Sequence, residues 1–473
     1  MKPRRVVVIG AGITGLATAY RLLRKGQDAS GAPIEVTLLE SRPRLGGNIQ
    51  TERKDGFVID GGPDAFVVTR PQATALCREL GLGDRLIGTS EKARKVYIRQ
   101  DGVEHLLPEG VVLGIPTRLM PLVGTKLFTW PGKIRMGMDL VLPRRRGGGD
   151  ESVGGFMRRR LGREAVERLA EPLLGGIYAG NVETLSLRAA FPQLLDLEDK
   201  YGSLIRGTLA QKAKHPQPKG KVPGSVFYSL LGGMGELVET LGRSIDQLGG
   251  IIRVGAAAEA VIEGAGEARL EVVVRGDAEA IPADDVVLCS PAFVSADLVD
   301  GLDRDLAARL REIQYVSTAT VSVGFPRADV PHALDASGLI LPKGEKRGVL
   351  AATFVSSKWV GRAPEDIALM RVFVGGYRDP GALEQSDEEL VELARRELGV
   401  LTGVRARPVI SRVFRYDRGN AQPAIGHPER LARMRRQAAA HPGLHLAGAA
   451  FDGVGIPDCV RQADEVAAKI TSA

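Results

Sequence analysis

A glycine motif near the N-terminus is the feature that most constrains the fold of this chain. Val6–Ile9 is a short run of β-branched residues, which is typical of a buried strand. The sequence GAGITG follows at once, and Leu16–Lys25 then repeats apolar residues at helical spacing. In this order of strand, turn and helix, Gly10 permits the tight turn, Gly12 lets a pyrophosphate approach the backbone, and Gly15 lets helix and strand pack closely. The motif therefore predicts a βαβ unit whose helix N-terminus binds phosphate groups.

A second predicted strand supplies the acidic residue that such a unit uses. Ile34–Glu40 reads IEVTLLE and ends in a carboxylate, which can accept hydrogen bonds from ribose hydroxyl groups. Glu40 lies further along the chain than the usual spacing of about 20 residues, and the polar stretch Gly26–Pro33 accounts for the excess as a longer loop. The alternative is an ordinary βαβ unit in which Glu40 is solvated.

The composition indicates a globular protein with more than one structural unit. The chain has 473 residues, of which 44% are hydrophobic and 26% charged, and its net charge is +7. This length exceeds what one hydrophobic core usually serves, so two or three units are expected. The positive charge suits an anionic substrate or an acidic membrane surface, but it is equally compatible with general solubility. No pattern resembles a nucleic-acid-binding motif, so we expect no nucleic-acid partner.

The cysteines and the hydropathy pattern bear on the cellular compartment. Cys77, Cys289 and Cys459 form no C-x-x-C pair, so we predict neither a disulfide framework nor a metal site and expect a reducing compartment. No run of about 20 apolar residues occurs, and no secretory signal sequence precedes the first strand. We therefore predict a cytoplasmic protein without a membrane span. Peripheral membrane contact stays open because residues 108–127 are apolar and broken by prolines and glycines.

A second glycine pair follows Glu40 and carries a resemblance. Residues 40–51 read ESRPRLGGNIQT, the pattern E-x-R-x-R-x-G-G-x-I-x-T, and Gly56–Asp60 reads as a strand before a rigid turn. After a G-x-G-x-x-G unit, this pattern resembles the flavin amine oxidase superfamily, which includes phytoene desaturases and porphyrinogen oxidases. The resemblance implies that these segments surround FAD rather than NAD. It also implies that the flavin, and no catalytic side chain, carries the chemistry.

The resemblance assigns cofactor contacts position by position. Asn48 stands where relatives often have Lys or Arg, so a charge contact is missing there. Ala258 is matched to a backbone contact with the adenine side of FAD, and Tyr416 to an aromatic position near the flavin, with a plain core role as its alternative. The helix near Ile456 is matched to one whose N-terminus faces the pyrimidine end of the flavin. The implied FAD contacts are Gly10, Ala11, Gly12, Ile13, Thr14, Gly15, Glu40, Ser41, Asn48, Gly62, Pro63, Asp64, Ala65, Ala258, Tyr416, Val454, Gly455 and Ile456.

A more specific resemblance lies in the middle and at the end of the chain. Glu171–Gly180 reads EPLLGGIYAG, which closely resembles the E-P-L-L-S-G-I-Y-A-G segment of bacterial oxygen-dependent porphyrinogen oxidases. Residues 453–459, GVGIPDC, are similar to the form in the soluble enzymes of Gram-positive bacteria. This resemblance implies that Arg70 meets a substrate propionate and that the carbonyl group of Gly176 faces pyrrole N–H groups. The alternative for Arg70 is a surface arginine at a helix start.

The predicted fold class is α/β, with an FAD-binding Rossmann-like domain of the amine oxidase superfamily, a sheet-rich substrate domain and a helical domain. We predict that residues 1–90, 220–300 and 405–473 form the discontinuous FAD-binding domain. Residues 91–219 are predicted to form a helical domain that faces a membrane or covers the substrate. Residues 301–404 are predicted to form the substrate-binding domain.

The function that the resemblance implies is FAD-dependent oxidation of a porphyrinogen by O2, with release of hydrogen peroxide, in haem biosynthesis. The resemblance to the soluble Gram-positive enzymes implies coproporphyrinogen III as the substrate, with protoporphyrinogen IX as the alternative. The net charge of +7 agrees in sign, because a tetracarboxylate gains more from a basic cavity entrance. Two other classes stay open: an amine oxidase or desaturase on the same fold, and a flavin-binding protein without catalysis. Transient contacts with other haem-pathway enzymes are a further implied class of partner.

Overall fold

Two large sheets organise the protein: a five-stranded parallel sheet and a seven-stranded mixed sheet. The computed structural model describes residues 1–108, 111–112, 115–116, 119–145, 147–214, 225–345 and 347–472. Part of the proline-broken stretch 108–127 and the predicted domain boundary at 219–220 lie outside these described residues.

The parallel sheet contains the predicted βαβ unit. Side chains of its central strand alternate between the two faces, so that Val6 and Val8 enter one core while Val7 and Ile9 enter the other. Both faces are covered, because parallel strands are joined by crossover segments that pack on the sheet. The prediction of a Rossmann-like unit is confirmed. The strands run in the order Ile251–Val254, Ile34–Glu40, Arg4–Ile9, Asp285–Leu288 and Leu444–Leu446, and all neighbours are parallel.

Helices cover both faces of the parallel sheet. The first of them begins at Ile13 rather than at Leu16, because the backbone of Gly12 already forms the N-cap. One face packs against helices Ile13–Lys25, Gly235–Gln247 and Ile456–Thr471, with Pro71–Glu79 beside them. The other face packs against helices Ala292–Val299, Arg304–Arg311 and His427–Ala438 and an antiparallel sheet of Ala258–Glu263, Leu270–Val274 and Ile281–Ala283.

The seven-stranded sheet draws its strands from distant parts of the chain. Their order is Ile410–Gln422, Gln314–Pro326, Ile367–Gly375, Ala351–Phe354, Gly338–Ile340, Val96–Gln100 and Val103–Leu106. Neighbours are antiparallel except for the pair of Gly338–Ile340 with Val96–Gln100, which is parallel. Helix Asp387–Thr402 packs on this sheet. The segments 96–106 and 410–422 therefore belong to this sheet, although we predicted the first for the helical domain and the second for the FAD-binding domain.

Residues 119–214 form a mainly helical unit with a core of its own. Arg160 is fully buried there, donates to Asp139, and also donates to the carbonyl oxygens of Leu142 and Gly202. A buried ion pair is tolerated when its remaining donors are satisfied in this way. The helices are Leu119–Gly124, Trp130–Gly137, Val153–Leu161, Arg163–Ala165, Gly176–Tyr178, Leu187–Ala190, Pro192–Tyr201 and Leu204–Lys214, and Val166–Gly175 is π-helical.

Short elements join the large sheets. They bring the turn after Asp60 against the seven-stranded sheet, where the Thr320 hydroxyl donates to the carbonyl oxygen of Gly61 at 2.7 Å. The strand pairs are Thr51–Lys54 with Phe57–Asp60, Phe227–Leu230 with both Phe66–Val67 and Leu86–Gly88, and Val111–Val112 with Ile115–Pro116. The short helical turns are Gly83–Arg85, Glu91–Ala93, Met138–Leu140, Arg327–Asp329, Lys343–Glu345, Val355–Lys358, Gly376–Arg378 and Pro380–Glu384.

Candidate functional site

The three motif glycines of the first turn are required for three different reasons. Gly10 has a φ of +102°, which residues with a side chain rarely adopt. A Cβ on Gly15 would lie 1.9 Å from the carbonyl oxygen of Gly10, so glycine is needed for helix and strand to approach. A Cβ on Gly12 would meet nothing within 4 Å, and its φ is −68°. The protein's own packing does not require glycine at position 12, whereas a phosphate group lying against the backbone would.

The second glycine pair packs directly against this turn. The N–H of Gly46 donates to the carbonyl oxygen of Ala11 at 2.8 Å, and both Gly46 and Gly47 have positive φ values. A Cβ on Gly47 would approach the Cα of Gly12 to 3.2 Å. Two glycine segments from different parts of the sequence thus meet beside the open space at Gly12, and we call this place the backbone cleft.

Glu40 closes one end of the backbone cleft. Its carboxylate accepts hydrogen bonds from the N–H groups of Ala11 and Arg42, each at 2.9 Å. The residue is 8% exposed, so its side chain is not solvated as the alternative reading required. Its carbonyl oxygen accepts from the N–H of Ala256, which leads into the strand that begins at Ala258. The residues predicted for the ribose and the adenine of FAD therefore lie side by side.

The last helix begins beside the same cleft. Gly455 is its N-cap and Ile456 its first residue. Cys459 in its first turn lies close to Thr14 in the first turn of the N-terminal helix, within the same core as Ile13. The N-termini of two helices therefore meet here, and helix N-termini favour negatively charged groups.

The turn over residues 62–65 is held by a cluster of charges that is largely shielded from solvent. Asp64 accepts from the Lys358 ammonium at 3.0 Å and from the indole N–H of Trp359 at 2.8 Å, and Arg371 lies 3.3 Å from the same carboxylate. Burial alone would raise the pKa of Asp64, but Lys358 and Arg371 hold that pKa well below its usual range. Asp64 is therefore ionised and already engaged by the protein, so it positions the turn.

Arg371 is a site residue that the sequence analysis missed. It lies within the strand Ile367–Gly375, and its guanidinium donates to the carbonyl oxygens of Asp60 and Gly62 at 2.8 and 2.9 Å. The residue is 3% exposed and is the charged residue of an otherwise apolar strand, IALMRVFVG. That pattern is a signal for a buried anchor, because an arginine inside a core needs several acceptors.

A cavity of about 520 Å³ lies between the turn at Gly62, the seven-stranded sheet and the helical unit. We call it the substrate cavity. The predicted residues that line it are Asn48, Gly62, Pro63, Asp64, Tyr416, Val454 and Gly176. Its other walls are mostly apolar side chains and backbone, including Pro172, Leu173, Ile177, Ile340, Leu350 and Phe373. Such a lining suits a large apolar ligand that a few polar groups orient.

Tyr416 brings an unpaired polar group to this cavity. Its hydroxyl is buried and has no hydrogen-bond partner among the described residues. Burial raises the pKa of Tyr416 to about 12, so the hydroxyl is protonated and can donate. A buried hydroxyl without a partner is rare in folded proteins, and a bound polar cofactor would satisfy it. Together with the open space at Gly12, this group shows that the residues present fit a dinucleotide cofactor.

Gly176 lies on the wall of the substrate cavity that the helical unit supplies. A Cβ at this position would meet nothing within 4 Å, so the glycine leaves room on the cavity side. The carbonyl oxygen of Gly176 accepts from the N–H of Ala179 at 3.3 Å, and Ala179 itself has a φ of +48°. The π-helical segment Val166–Gly175, which contains Pro172, leads into this wall.

The structure places Arg70 apart from Gly176. Arg70 lines a second cavity, of about 800 Å³, and its guanidinium pairs with Asp458. Its side chain is 40% exposed. Tyr178 borders this second cavity while Gly180 borders the substrate cavity, so the two cavities adjoin through one short segment. Arg70 therefore lies beside the substrate cavity rather than in its wall.

The part of the chain that the structure describes contains neither a cluster of metal ligands nor a cysteine with a lowered pKa. There, no group of three or more His, Cys, Asp or Glu side chains could hold a metal ion. Cys77, Cys289 and Cys459 are free, and burial raises the pKa of Cys77 and of Cys289 to about 12. Within the same ranges, none of the helices combines the length and apolar character that crossing a bilayer requires.

This architecture defines a class of protein. Residues 13–471 match the family described as flavin containing amine oxidoreductase, and the chain belongs to that family. Its cofactor is FAD, as we predicted. A solved structure of wild-type putrescine oxidase has the same fold, with a TM-score of 0.69 and 17% sequence identity, and the match covers 99% of each chain.

Relatives with higher sequence identity indicate which members of this family the chain resembles. The chain is 34% identical to coproporphyrinogen III oxidase of Bacillus subtilis (strain 168), over 97% of this chain and 96% of that protein. It is 33% identical to coproporphyrinogen III oxidase of Staphylococcus aureus (strain NCTC 8325 / PS 47), over 99% of this chain and the whole of that protein. A crystal structure from Exiguobacterium sp. 255-15, provisionally described as a protoporphyrinogen oxidase, has a TM-score of 0.85 at 32% identity and covers 100% and 99% of the two chains.

Proposed function

We propose that this protein oxidises coproporphyrinogen III to coproporphyrin III, with FAD as cofactor and O2 as electron acceptor, in haem biosynthesis. The observation that carries this proposal is the similarity, over nearly the whole chain, to proteins named coproporphyrinogen III oxidase. Oxidation of the porphyrinogen to the porphyrin removes six hydrogen atoms from the macrocycle, and three molecules of O2 are reduced to three molecules of hydrogen peroxide. Each turnover therefore needs three successive two-electron oxidations at one site.

The backbone cleft is the proposed site of the FAD phosphates and ribose. Backbone N–H groups at the start of the first helix, from Gly12 to Gly15, would face the phosphates and Glu40 the ribose, with Ser41 and Ala258 towards the adenine end. Asn48, Gly62, Pro63, Asp64, Ala65, Tyr416, Val454, Gly455 and Ile456 would surround the flavin ring. Bound FAD supplies the hydride acceptor, so the chain needs no nucleophile of its own and instead positions the substrate and excludes water.

The substrate cavity supports a macrocyclic substrate. Its apolar walls suit the tetrapyrrole ring, and the open space at Gly176 allows the ring to approach the backbone of the helical unit. The substrate's propionates need cations at the rim. We propose that Arg70 attracts a propionate from the adjoining cavity, where it lies beside Tyr178.

Protoporphyrinogen IX is the second candidate substrate. The provisional description of the Exiguobacterium structure favours it. It carries two propionates where coproporphyrinogen III carries four, so charged contacts at the rim would discriminate between them. We therefore expect both to be oxidised, with the higher kcat/KM for coproporphyrinogen III.

Anaerobic mixing of the purified holoenzyme with each porphyrinogen tests the proposal. The absorption band of oxidised flavin should bleach with coproporphyrinogen III, and admission of O2 should restore it with formation of coproporphyrin III and hydrogen peroxide. An unchanged flavin band with both porphyrinogens would contradict the proposal. Bleaching by amines alone would indicate an amine oxidase, and a flavin that no donor reduces would indicate a flavin-binding protein without catalysis.

We also propose peripheral membrane contact through the helical unit. Exposed apolar side chains recur along residues 120–141 of this unit, where Met120, Trp130, Ile134 and Val141 are between 63% and 80% exposed. Lys133 lies 4.7 Å above the Trp130 ring, which places a cation beside the apolar side chains. Sedimentation with anionic lipid vesicles tests this contact, and a Trp130→Ser, Ile134→Ser variant should sediment less. Equal sedimentation of both proteins would exclude this surface.

A further inference from the structure

A pair of opposite charges faces the substrate cavity where the helical unit meets the seven-stranded sheet. Glu171 lies on the π-helical segment Val166–Gly175, and Arg378 ends the turn that follows the strand Ile367–Gly375. Nε and Nη2 of Arg378 donate to the two carboxylate oxygens of Glu171 at 2.9 and 2.8 Å. This is the bidentate geometry in which an arginine binds any carboxylate most strongly.

The surrounding backbone fixes the position of Arg378. The N–H of Tyr377 donates to the carbonyl oxygen of Ala179 at 2.8 Å, and Arg378 also donates to the carbonyl oxygen of Leu341. Gly376 has a φ of +67°, and a Cβ there would lie 2.6 Å from the oxygen of Ala179. The turn is therefore shaped to meet the helical unit, and the guanidinium of Arg378 is held at the cavity wall from two sides.

The other charges of the cavity are not available to a ligand. Among the described residues, the charged side chains that line it are Asp64, Glu171, Arg371 and Arg378. Asp64 and Arg371 already have several partners each in the charge cluster that fixes the turn at Gly62. The Glu171 and Arg378 side chains are both close to one-fifth exposed, whereas the Arg371 side chain is 4% exposed. Glu171 and Arg378 can therefore separate at lower cost than the partners of a fully buried pair.

We propose that Arg378 recognises a carboxylate of the substrate and that Glu171 is its internal competitor, displaced when the substrate enters. A propionate offers the same two oxygen atoms that Glu171 places on Arg378 now. Since Glu171 must leave its partner, the affinity is lower than a free arginine would give, and product release is correspondingly easier. This inference rests on the proposed function, because it takes a tetrapyrrole with propionate side chains as the substrate.

Opposite effects of the two single variants test the inference. Arg378→Gln removes the cation, so the KM for coproporphyrinogen III should rise about tenfold while kcat changes little, because the contact is remote from the reacting carbon. Glu171→Gln removes the competing charge and keeps the cation, so KM should fall about threefold. A pair with only a structural role would weaken binding or folding in both variants alike.

Product binding gives a readout that does not depend on turnover. Coproporphyrin III titrated into the oxidised holoenzyme should bind about tenfold more weakly to Arg378→Gln and more tightly to Glu171→Gln. Arg347→Gln is the matched control, since Arg347 donates to Glu397 at 2.6 Å but does not line the cavity. The control should leave the Kd unchanged. Arg378→Lys should give an intermediate Kd, because it keeps the charge but not the bidentate geometry.

The outcomes separate this inference from the proposed function. A wild-type holoenzyme that oxidises no porphyrinogen contradicts the proposed function. A wild-type enzyme that oxidises coproporphyrinogen III, with Arg378→Gln unchanged in KM and Kd or with Glu171→Gln weaker in binding, contradicts the inference alone. Flavin content and thermal unfolding are measured for every variant, and if Arg378→Gln does not fold, Arg378→Lys and Glu171→Gln decide the question.

Discussion

The backbone cleft and the substrate cavity adjoin where Asn48, the residue after Gly47, packs against Gly62, yet the two sites differ in what lines them. The cleft is lined by backbone from the glycine turn and from Gly46 and Gly47, with Glu40 as its principal side chain. The cavity is shaped by side chains from three separate regions, and its charges come in pairs such as Glu171 with Arg378. A site lined by backbone requires glycines at fixed spacings in the sequence. A site lined by side chains can be assembled from segments that share no motif.

Loss of the cofactor is the largest effect expected from a change in the cleft. Gly12→Val should give a folded but colourless protein, because a side chain there enters the open space that the phosphates would occupy. The ratio of flavin to protein after purification measures this loss. Gly301→Val is a matched control, since a Cβ at Gly301 also meets nothing within 4 Å, and it should retain flavin.

A substitution at Gly15, in the same motif, separates loss of folding from loss of cofactor binding. Gly15→Val should prevent folding rather than cofactor binding, because even its Cβ would overlap the carbonyl oxygen of Gly10. Circular dichroism and thermal unfolding distinguish the two variants. A Gly12→Val protein that carries a normal amount of flavin would show that the cleft is not the phosphate site.

Arg371 tests the point where the two regions meet. Arg371→Gln should lower the free energy of unfolding by about 3 kcal/mol, because it leaves buried acceptors at Asp60, Gly62 and Asp64 with fewer donors. Denaturant unfolding measures the change. Arg415 lies on the edge strand of the same sheet, and Arg415→Gln, which breaks its exposed pair with Asp387, should cost about 0–1 kcal/mol. Equal losses in the two variants would mean that the buried cluster does not anchor the turn.

Acid should weaken the turn through Asp64. Lys358 and Arg371 lower the pKa of Asp64 in the folded protein, so the unfolded chain takes up the proton first as the pH falls below about 4. The stability that Asp64 contributes is therefore present above that pH and is lost progressively below it. The melting temperatures of wild type and Asp64→Asn should differ at pH 5 and converge as the pH falls, so a constant difference would contradict this assignment.

Arg70 should give the smallest effect. Its side chain is 40% exposed and paired with Asp458 in the adjoining cavity, so Arg70→Ala should raise the KM for coproporphyrinogen III about fivefold with kcat nearly unchanged. Steady-state kinetics beside Arg378→Gln test the order of the two effects. A larger effect at Arg70 than at Arg378 would move carboxylate recognition from the substrate cavity to the adjoining one.

Residues of the backbone cleft were predictable, and several of the cavity were not. The turn at Gly10, the carboxylate at Glu40 and the helix after Gly455 follow from patterns of adjacent residues, and the structure brings them together. Lys358, Trp359, Arg371 and Arg378 were missed because none belongs to a local pattern that names a partner. Only the single charge within the apolar strand around Arg371 offered a signal.

By itself, the sequence determined the βαβ unit and its glycine turn, since a β-branched strand, a glycine turn and an amphipathic helix each depend on neighbouring residues. The tertiary structure alone decided the rest of the site. It paired the hairpin 96–106 with strand 338–340, placed strand 410–422 at the far edge of the same sheet, and set Glu171 against Arg378 across 207 positions of the chain. These contacts join segments that share no local pattern, and packing decides them because a pairing over such a distance forms only when both surfaces bury each other.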